Sequence, residues 1–224
     1  MLSKNKCIQA FIGGYMNFYL MKKTQQFWNS DHNKLLSYLS PDRQKTVKRY
    51  RFEQDQITSL YSGFLARLGL TRALGCKNEE LIFVNKKWHK PYLDTSKLPG
   101  NPYIDFSFSH TRNAVLLGIT RTGHIGVDVE RITDAPLDLM KTIFHPFEIA
   151  YVEQASSNLK NRRFLEIWTK KEAYTKCIGT GLATDLPAIN TLANPLSEQI
   201  YTWSEDDYLC SVFFIDDLAP YLFY

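Results

Sequence analysis

Two short segments of the sequence place carboxylates among apolar residues, an arrangement that can hold a divalent cation. From Ile125 to Glu130, apolar residues alternate with small or acidic ones, which is the period of a β-strand with two faces. Asp128 and Glu130 therefore project from one face of that strand, close enough for their carboxylates to share one cation. Oxygen ligands of this kind suit magnesium in sites that handle substrate phosphates.

The second segment is predicted to be helical, and it adds a third carboxylate beside two ammonium groups. Phe164 and Trp168 lie at the helical period, and Glu172 and Lys176 continue the same face at four-residue steps. Lys171 lies a third of a turn away from that face. A carboxylate flanked by two lysines fits a cation bound beside anionic oxygens. The two segments together predict a metal site that faces a phosphate site.

A simpler interpretation of each segment is a solvated surface, since acidic pairs on strands and lysine–glutamate helix faces are commonly exposed. Here, however, the charged residues of both segments lie between residues of the buried type, such as Val127 and Trp168. Charges held among apolar neighbours need partners, and a metal ion with a phosphate supplies them. The combination favours the metal and phosphate interpretation.

At these residues the sequence resembles the 4'-phosphopantetheinyl transferase superfamily, in particular its two-lobed surfactin-type branch. Members carry Gly-Ile/Val-Asp-x-Glu and, about forty residues later, Trp-x-x-Lys-Glu-Ala/Ser-x-x-x-Lys, which correspond to residues 126–130 and 168–176. Two earlier signatures, Gly-Lys-Pro and Phe-Asn-x-Ser-His, correspond to residues 89–91 and 106–110, although His89 and Ser107 replace the family's glycine and asparagine. Four signatures in order make a specific match.

The resemblance implies an α+β fold of two similar lobes, related by a pseudo-twofold axis, with the active-site cleft between them. A chain of 224 residues with 44% hydrophobic residues can bury one large core or two modest ones. We expect an N-terminal lobe at 16–121 and a C-terminal lobe at 122–224 that carries the transferase signatures. Residues 1–15 are expected to be a disordered or misannotated extension that precedes the first strand.

The resemblance also implies roles for the charged residues of the two segments. Asp128, Glu130 and Glu172 would bind Mg²⁺, with Mn²⁺ as an open alternative because both ions accept octahedral oxygen ligands. Lys171 and Lys176 would bind the pyrophosphate oxygens of coenzyme A. Lys176 would also stabilise the leaving group, and Glu172, or a metal-bound water near it, would take a proton from the acceptor. The expected catalytic residues are Asp128, Lys171, Glu172 and Lys176.

Coenzyme A, the expected co-substrate, would contact further residues outside these segments. They are Arg43, Lys48, Lys90, Pro91, Ser109 and His110. Ser109 and His110 would contact phosphates, and Lys90 with Pro91 would line the nucleotide. Arg43 and Lys48, in a basic run, are candidates for the 3'-phosphate. A serine nucleophile at Ser109 is the weaker interpretation, because no nucleophile-elbow glycines surround it.

The reaction implied is the transfer of 4'-phosphopantetheine from coenzyme A to a serine of an apo acyl or peptidyl carrier protein, with release of adenosine 3',5'-bisphosphate. Phe144, Phe147 and Tyr151 are candidates for contact with the carrier. We expect a cytoplasmic monomer that binds neither membrane nor nucleic acid. Two alternatives stay open: an inactive coenzyme A-binding relative, and a polyanion- or nucleic-acid-binding protein, which the basic clusters would also suit.

Overall fold

The computed structural model describes residues 7–12, 16–22, 27–85, 90–180 and 184–216, with side chains from residue 16 onward. The chain divides into two compact units. The first comprises the described residues up to Asn85 together with 91–122, and the second comprises Lys90 together with residues 123–216.

The first unit is built from an antiparallel sheet, a separate strand pair and helices. Its elements are β1 (Cys7–Ile12), β2 (Met16–Lys22), α1 (Ser30–Ser37), α2 (Pro41–Arg49), α3 (Glu53–Leu74), β3 (Ile82–Val84), β4 (Tyr92–Asp94), β5 (Asp105–Thr111) and β6 (Ala114–Thr120). The sheet has the strand order β1-β2-β6-β5, and β3 pairs with β4.

The core of the first unit lies between α3 and the four-stranded sheet. Strand β6 is buried along its whole length, as expected for an inner strand made of apolar residues. Leu65 and Leu70 of α3 and Leu117 of β6 belong to one buried cluster. At Gly69, a Cβ atom would lie 2.5 Å from a methyl carbon of Leu117, so the helix packs closely on the sheet there.

The structure differs from the sequence prediction at the start of the chain. Residues Cys7–Ile12, expected to belong to a disordered extension, form the edge strand β1, whose backbone pairs with β2 from Cys7 opposite Met21 to Ile12 opposite Met16. The expectation rested on the family resemblance, in which the first strand begins near residue 17, but an edge strand uses main-chain hydrogen bonds that the side-chain pattern does not reveal. Residues 1–6 and 13–15 lie outside the described residues.

The second unit pairs a three-stranded antiparallel sheet with one long helix. Its elements are β7 (His124–Arg131), α4 (Met140–Ile143), α5 (Pro146–Glu153), α6 (Ser157–Ile178), α7 (Leu196–Gln199), β8 (Ile200–Glu205) and β9 (Tyr208–Ile215). The sheet has the strand order β7-β9-β8. Helix α6 packs on β7 and β9 and ends at Gly179, which adopts the left-handed conformation (φ 74°) that glycine accepts most readily.

The mixture of helices and small antiparallel sheets confirms the predicted α+β class. Each unit contains a helix of 22 residues, α3 or α6, that packs on an antiparallel sheet. The pseudo-twofold relation between the lobes and the cleft between them stay predictions. Lys90 groups with the second unit, whereas the sequence placed it in the first lobe, and the reason is its contact with β7 described below.

No helix in the described part of the chain is long and apolar enough to span a membrane. The cysteine side chains that the structure describes, Cys76, Cys177 and Cys210, are free thiols.

Candidate functional site

Helix α6 approaches strand β7 most closely at Gly126. A Cβ atom at this position would lie 1.9 Å from the Ala173 carbonyl oxygen and 2.4 Å from the Cys177 amide nitrogen. Both are backbone atoms, so rotation of a side chain would not relieve the overlap. Glycine therefore allows the helix to pack directly on the strand. The strand face that carries Gly126 also carries Asp128 and Glu130, because alternate residues of a strand share a face.

Three predicted site residues meet where this strand face contacts α6. Lys176 Nζ lies 2.6 Å from Asp128 Oδ1 and 3.7 Å from Glu172 Oε2. The Asp128 side chain is only 4% exposed, whereas the Lys176 side chain is 30% exposed. The cluster is thus buried at Asp128 and partly exposed to solvent at Lys176.

The environment of Glu172 favours the protonated form of its carboxyl group. Burial raises the pKa of Glu172 above its ordinary value, and the nearby Asp128 carboxylate raises it further, while Lys176 lowers it. Burial is the largest of these influences. A carboxylate whose pKa is raised towards neutrality is a stronger base than an exposed one, which suits proton abstraction.

The metal prediction can be tested against the donor chemistry of this cluster. Asp128 and Glu172 both approach one ammonium group, so their carboxylates converge on a single cation position. Among the described residues, however, no group of three or more His, Cys, Asp or Glu side chains is arranged to hold a metal ion. Glu130 is half-buried on the same face of β7. The donor types fit Mg²⁺, with Lys176 at present beside the two carboxylates that would bind it.

Lys171 does not lie in a position to bind phosphate, contrary to the sequence prediction. Its side chain is 0% exposed, and Nζ forms an ion pair of 2.8 Å with Glu148 Oε2. The same nitrogen donates to the carbonyl oxygens of Leu186 (2.7 Å) and Ile189 (2.6 Å). An ammonium group has three N–H donors, and these contacts account for all of them. Successive residues of an α-helix point about 100° apart, so the Lys171 side chain points into the core and away from the direction of Glu172.

Glu148 is the partner that the sequence analysis missed. Its Oε1 accepts hydrogen bonds from the Thr191 amide (2.8 Å) and hydroxyl (2.7 Å), and its Oε2 accepts one from the His145 amide (2.9 Å). The sequence contains a signal for the last contact only, because a glutamate three residues after the N-cap residue forms a capping box. The network joins α5, α6 and the segment around Thr191.

The residues predicted to line the nucleotide have different surroundings. Lys90 Nζ donates a hydrogen bond of 2.6 Å to the Ile125 carbonyl oxygen at the start of β7, and Pro91 is half-buried next to it in sequence. In β5, Ser109 is buried and His110 is exposed, since successive strand residues point to opposite faces. The coenzyme A roles of all four residues stay predictions.

The two candidates for the 3'-phosphate differ in their environment. Lys48 is exposed, whereas Arg43 is half-buried against α3 and donates from Nη2 to the Ser59 carbonyl oxygen (3.1 Å). Burial lowers the pKa of Arg43. The Ser59 hydroxyl is buried and has no hydrogen-bond partner among the described residues. Sequence reasoning missed Ser59, because nothing in the spacing connects it with Arg43.

The three aromatic residues suggested for carrier contact separate into different environments. Phe144 is 1% exposed and packs on Phe164 in the core, so it is unavailable for such contact. Tyr151 is half-buried and donates to Glu166 at 3.1 Å. Phe147 is 68% exposed. Phe144 lies between α4 and α5, and only Phe147 of α5 is largely exposed.

Two family models match the chain. Residues 26–121 match "4'-phosphopantetheinyl transferase, N-terminal", and residues 124–222 match "4'-phosphopantetheinyl transferase superfamily". Together the two models cover the chain from the start of α1 to beyond β9. The second model includes all the charged residues of the cluster.

Individual relatives carry the same description. The 4'-phosphopantetheinyl transferase gsp of Aneurinibacillus migulanus is 31% identical over 150 residues, which are 67% of this chain and 60% of that protein. The 4'-phosphopantetheinyl transferase Sfp of Bacillus subtilis (strain 168) is 21% identical over 175 residues, 78% of this chain and 75% of that protein. An L-aminoadipate-semialdehyde dehydrogenase-phosphopantetheinyl transferase of Schizosaccharomyces pombe is 26% identical over 181 residues, 73% and 69% of the respective chains.

The α+β units, the cluster at β7 and α6, and these matches define the class of protein. The chain belongs to the 4'-phosphopantetheinyl transferase superfamily. Within that superfamily it is of the type that gsp and Sfp represent.

The buried ion pair gives a prediction about stability. Lys171→Met is expected to lower the free energy of unfolding by about 3–5 kcal/mol, because the Glu148 carboxylate stays buried without its counter-charge. Urea unfolding followed by tryptophan fluorescence measures the change.

The control is Lys170→Met, which removes a partly exposed pair with Glu166 and is expected to cost about 1 kcal/mol or less. Adding Glu148→Gln to Lys171→Met is expected to recover part of the loss. Equal stabilities of the two single variants would contradict the prediction.

The raised pKa of Glu172 gives a prediction about pH. The unfolded carboxyl keeps its ordinary pKa of 4.5, so the folded state binds this proton more tightly than the unfolded state does. Relative to Glu172→Gln, the native protein should therefore lose stability as the pH rises from 4.5 through the raised pKa. Below 4.5 the two proteins should differ little. Melting temperatures of both proteins, measured with chelator from about pH 4 to about pH 8, test this; a constant difference across the range would refute it.

Proposed function

We propose that this protein transfers the 4'-phosphopantetheine group of coenzyme A to a serine hydroxyl of an apo acyl or peptidyl carrier protein, releasing adenosine 3',5'-bisphosphate. The observation that carries the proposal is the convergence of Asp128, Glu172 and Lys176 between β7 and α6. In a chain of this superfamily, such a cluster has the charges that a diphosphate substrate requires. The family relation supports the reaction class, and the charges support an active enzyme over an inactive relative.

Asp128, Glu130 and Glu172 are the residues that would hold Mg²⁺, or Mn²⁺, in this reaction. When bound, the ion would neutralise charge on the pyrophosphate and act as a Lewis acid. Lys176 now occupies the cation position between Asp128 and Glu172. Its flexible stem and 30% exposed side chain allow the ammonium group to swing from the carboxylates to an anionic oxygen of coenzyme A.

Glu172 and Lys176 are proposed to have separate roles, Glu172 in proton transfer and Lys176 in stabilising negative charge. The buried environment that raises the pKa of Glu172 makes its carboxylate a stronger base than an exposed glutamate, so we assign it the proton of the carrier serine. Lys176 carries the positive charge that stabilises the departing adenosine 3',5'-bisphosphate. Lys171 is left out of the catalytic set, because its three donors are engaged with Glu148 and two backbone carbonyls.

Arg43 is proposed to bind the 3'-phosphate of coenzyme A. The guanidinium uses Nη2 for the Ser59 carbonyl oxygen, and its remaining donors are suited to phosphate oxygens. Lys90, whose ammonium group lies at the start of β7, remains the candidate for the nucleotide side of the substrate.

The proposal is tested by intact-protein mass spectrometry of apo acyl and apo peptidyl carrier proteins incubated with this protein, coenzyme A and Mg²⁺. A mass gain of one phosphopantetheine on either carrier is expected, and it should disappear with Asp128→Asn or with chelator. The matched control Asp138→Asn removes an exposed carboxylate of the same unit and should retain full activity. If neither carrier gains mass but the protein binds coenzyme A tightly, the protein is an inactive relative. If it does not bind coenzyme A, the alternative of a protein that binds another polyanion is favoured.

The 3'-phosphate assignment gives a separate prediction. Arg43→Ala is expected to raise KM for coenzyme A roughly tenfold or more, the effect of losing a charge-assisted hydrogen bond. KM for dephospho-coenzyme A, which lacks the 3'-phosphate, should stay unchanged in the same variant. Lys48→Ala is the comparison variant, because exposed Lys48 is the other residue that the sequence suggests for the 3'-phosphate. If Lys48→Ala abolished the discrimination between the two substrates and Arg43→Ala did not, the assignment would be wrong.

A further inference from the structure

Three hydrogen-bonded hydroxyl groups, two of them on buried residues and one on a half-buried residue, connect helix α6 to the sheet of the second unit. Thr202 Oγ1 of β8 lies 2.9 Å from Ser211 Oγ of β9, and Ser211 Oγ lies 2.8 Å from Thr169 Oγ1 of α6. Thr169 and Ser211 are both 0% exposed. The Thr169 and Ser211 hydroxyls are therefore closed to solvent and depend on protein groups for hydrogen bonding.

The direction of the hydrogen bonds follows from proton counting. Thr169 Oγ1 donates to the Glu166 carbonyl oxygen at 3.1 Å. A hydroxyl has only one proton to donate, so Thr169 accepts from Ser211, and Ser211 in turn accepts from Thr202. The hydroxyl chain thus links the edge strand β8, through β9, to a backbone carbonyl of α6 by consecutive hydrogen bonds.

The hydroxyl chain lies next to the proposed catalytic cluster on both elements. Ser211 is the direct register partner of Asp128 across β7 and β9, so their side chains share the sheet face that α6 covers. On α6, Glu172 follows Thr169 by three residues and Lys176 follows it by seven, which places all of them on one helix face.

This helix face also contacts the sheet through the Lys176–Asp128 ion pair, through an exposed hydrogen bond from Arg162 to Ser204, and through apolar residues. Ala173, Cys177 and Phe213 form a buried cluster there, at the close approach to Gly126. Apolar contacts are non-directional and tolerate small shifts of one element along another, whereas hydrogen bonds weaken steeply when their geometry changes. The hydroxyl chain is therefore suited to fix the position of α6 along the sheet.

We propose that Thr169 and Ser211 are positioning residues, whose hydrogen bond sets α6 at the height where Glu172 and Lys176 meet Asp128. This inference rests on the proposed function for its kinetic consequences, but the contact itself can be tested without any reaction. A purely structural role would stabilise the fold and leave the geometry of the cluster unchanged.

Three variants separate these possibilities. Thr169→Val keeps the shape of the side chain and removes the hydroxyl, whereas Thr169→Ser keeps the hydroxyl. Thr202→Val is the matched control, since it removes a hydroxyl of the same chain and leaves the Ser211 to Thr169 link in place. In the transfer assay, Thr169→Val is expected to lower kcat about tenfold with KM for coenzyme A within about twofold, the signature of an interaction that matters in the transition state. Thr169→Ser and Thr202→Val should keep kcat within about twofold of the native value.

A thermodynamic cycle in chelator, without coenzyme A or carrier, tests the contact independently. The effect of Asp128→Asn on the free energy of unfolding should be smaller in the Thr169→Val background than in the native chain, because Lys176 is no longer held opposite Asp128. In the Thr202→Val background the effect should be unchanged. Strict additivity with Thr169→Val would overturn the positioning role. Coupling in a protein that transfers nothing would instead refute the proposed function and leave the structural contact established.

Discussion

The close approach of α6 to β7 at Gly126 is the constraint on which the second unit depends. Because no side chain separates the two backbones, the polar residues that flank the contact are pressed together: Asp128 from the strand, Glu172 and Lys176 from the helix. A larger interaxial distance would leave these charges to solvent. The apolar contact thus supplies the low-dielectric surroundings in which like-charged carboxylates and an ammonium group act strongly on one another.

Two lysines of one helix show how small differences in direction separate structural from chemical roles. Lys171 is sealed in the core with Glu148, and its charge fastens α5 and a distant segment to α6. Lys176 shares its charge with two carboxylates, one buried and one partly exposed, and keeps part of its side chain in water. Lys171 therefore stabilises the packing of α6, whereas the Lys176 side chain keeps the conformational freedom that contact with a substrate requires.

The local patterns of the sequence were sufficient for β7 and α6 and for the meeting of Asp128 with Glu172 and Lys176, whereas the α+β class followed from the family resemblance. The period of 2 and the period of 3.6 decide which residues share a face. They do not decide which neighbour covers that face, which is why Lys171 was assigned to phosphate and Phe144 to a carrier surface. Contacts between residues distant in sequence, such as Glu148 with Thr191 or Arg43 with Ser59, arise only from tertiary packing and leave no periodic signal.

The bonds from Lys171 to the Leu186 and Ile189 carbonyls also have a consequence for variation of the chain. Both acceptors are backbone carbonyl oxygens, which every residue type provides. Replacement of the Leu186 or Ile189 side chain therefore removes neither bond, whereas any replacement of Lys171 removes both. The contact thus constrains the residue type at position 171 and leaves positions 186 and 189 free to vary in side chain.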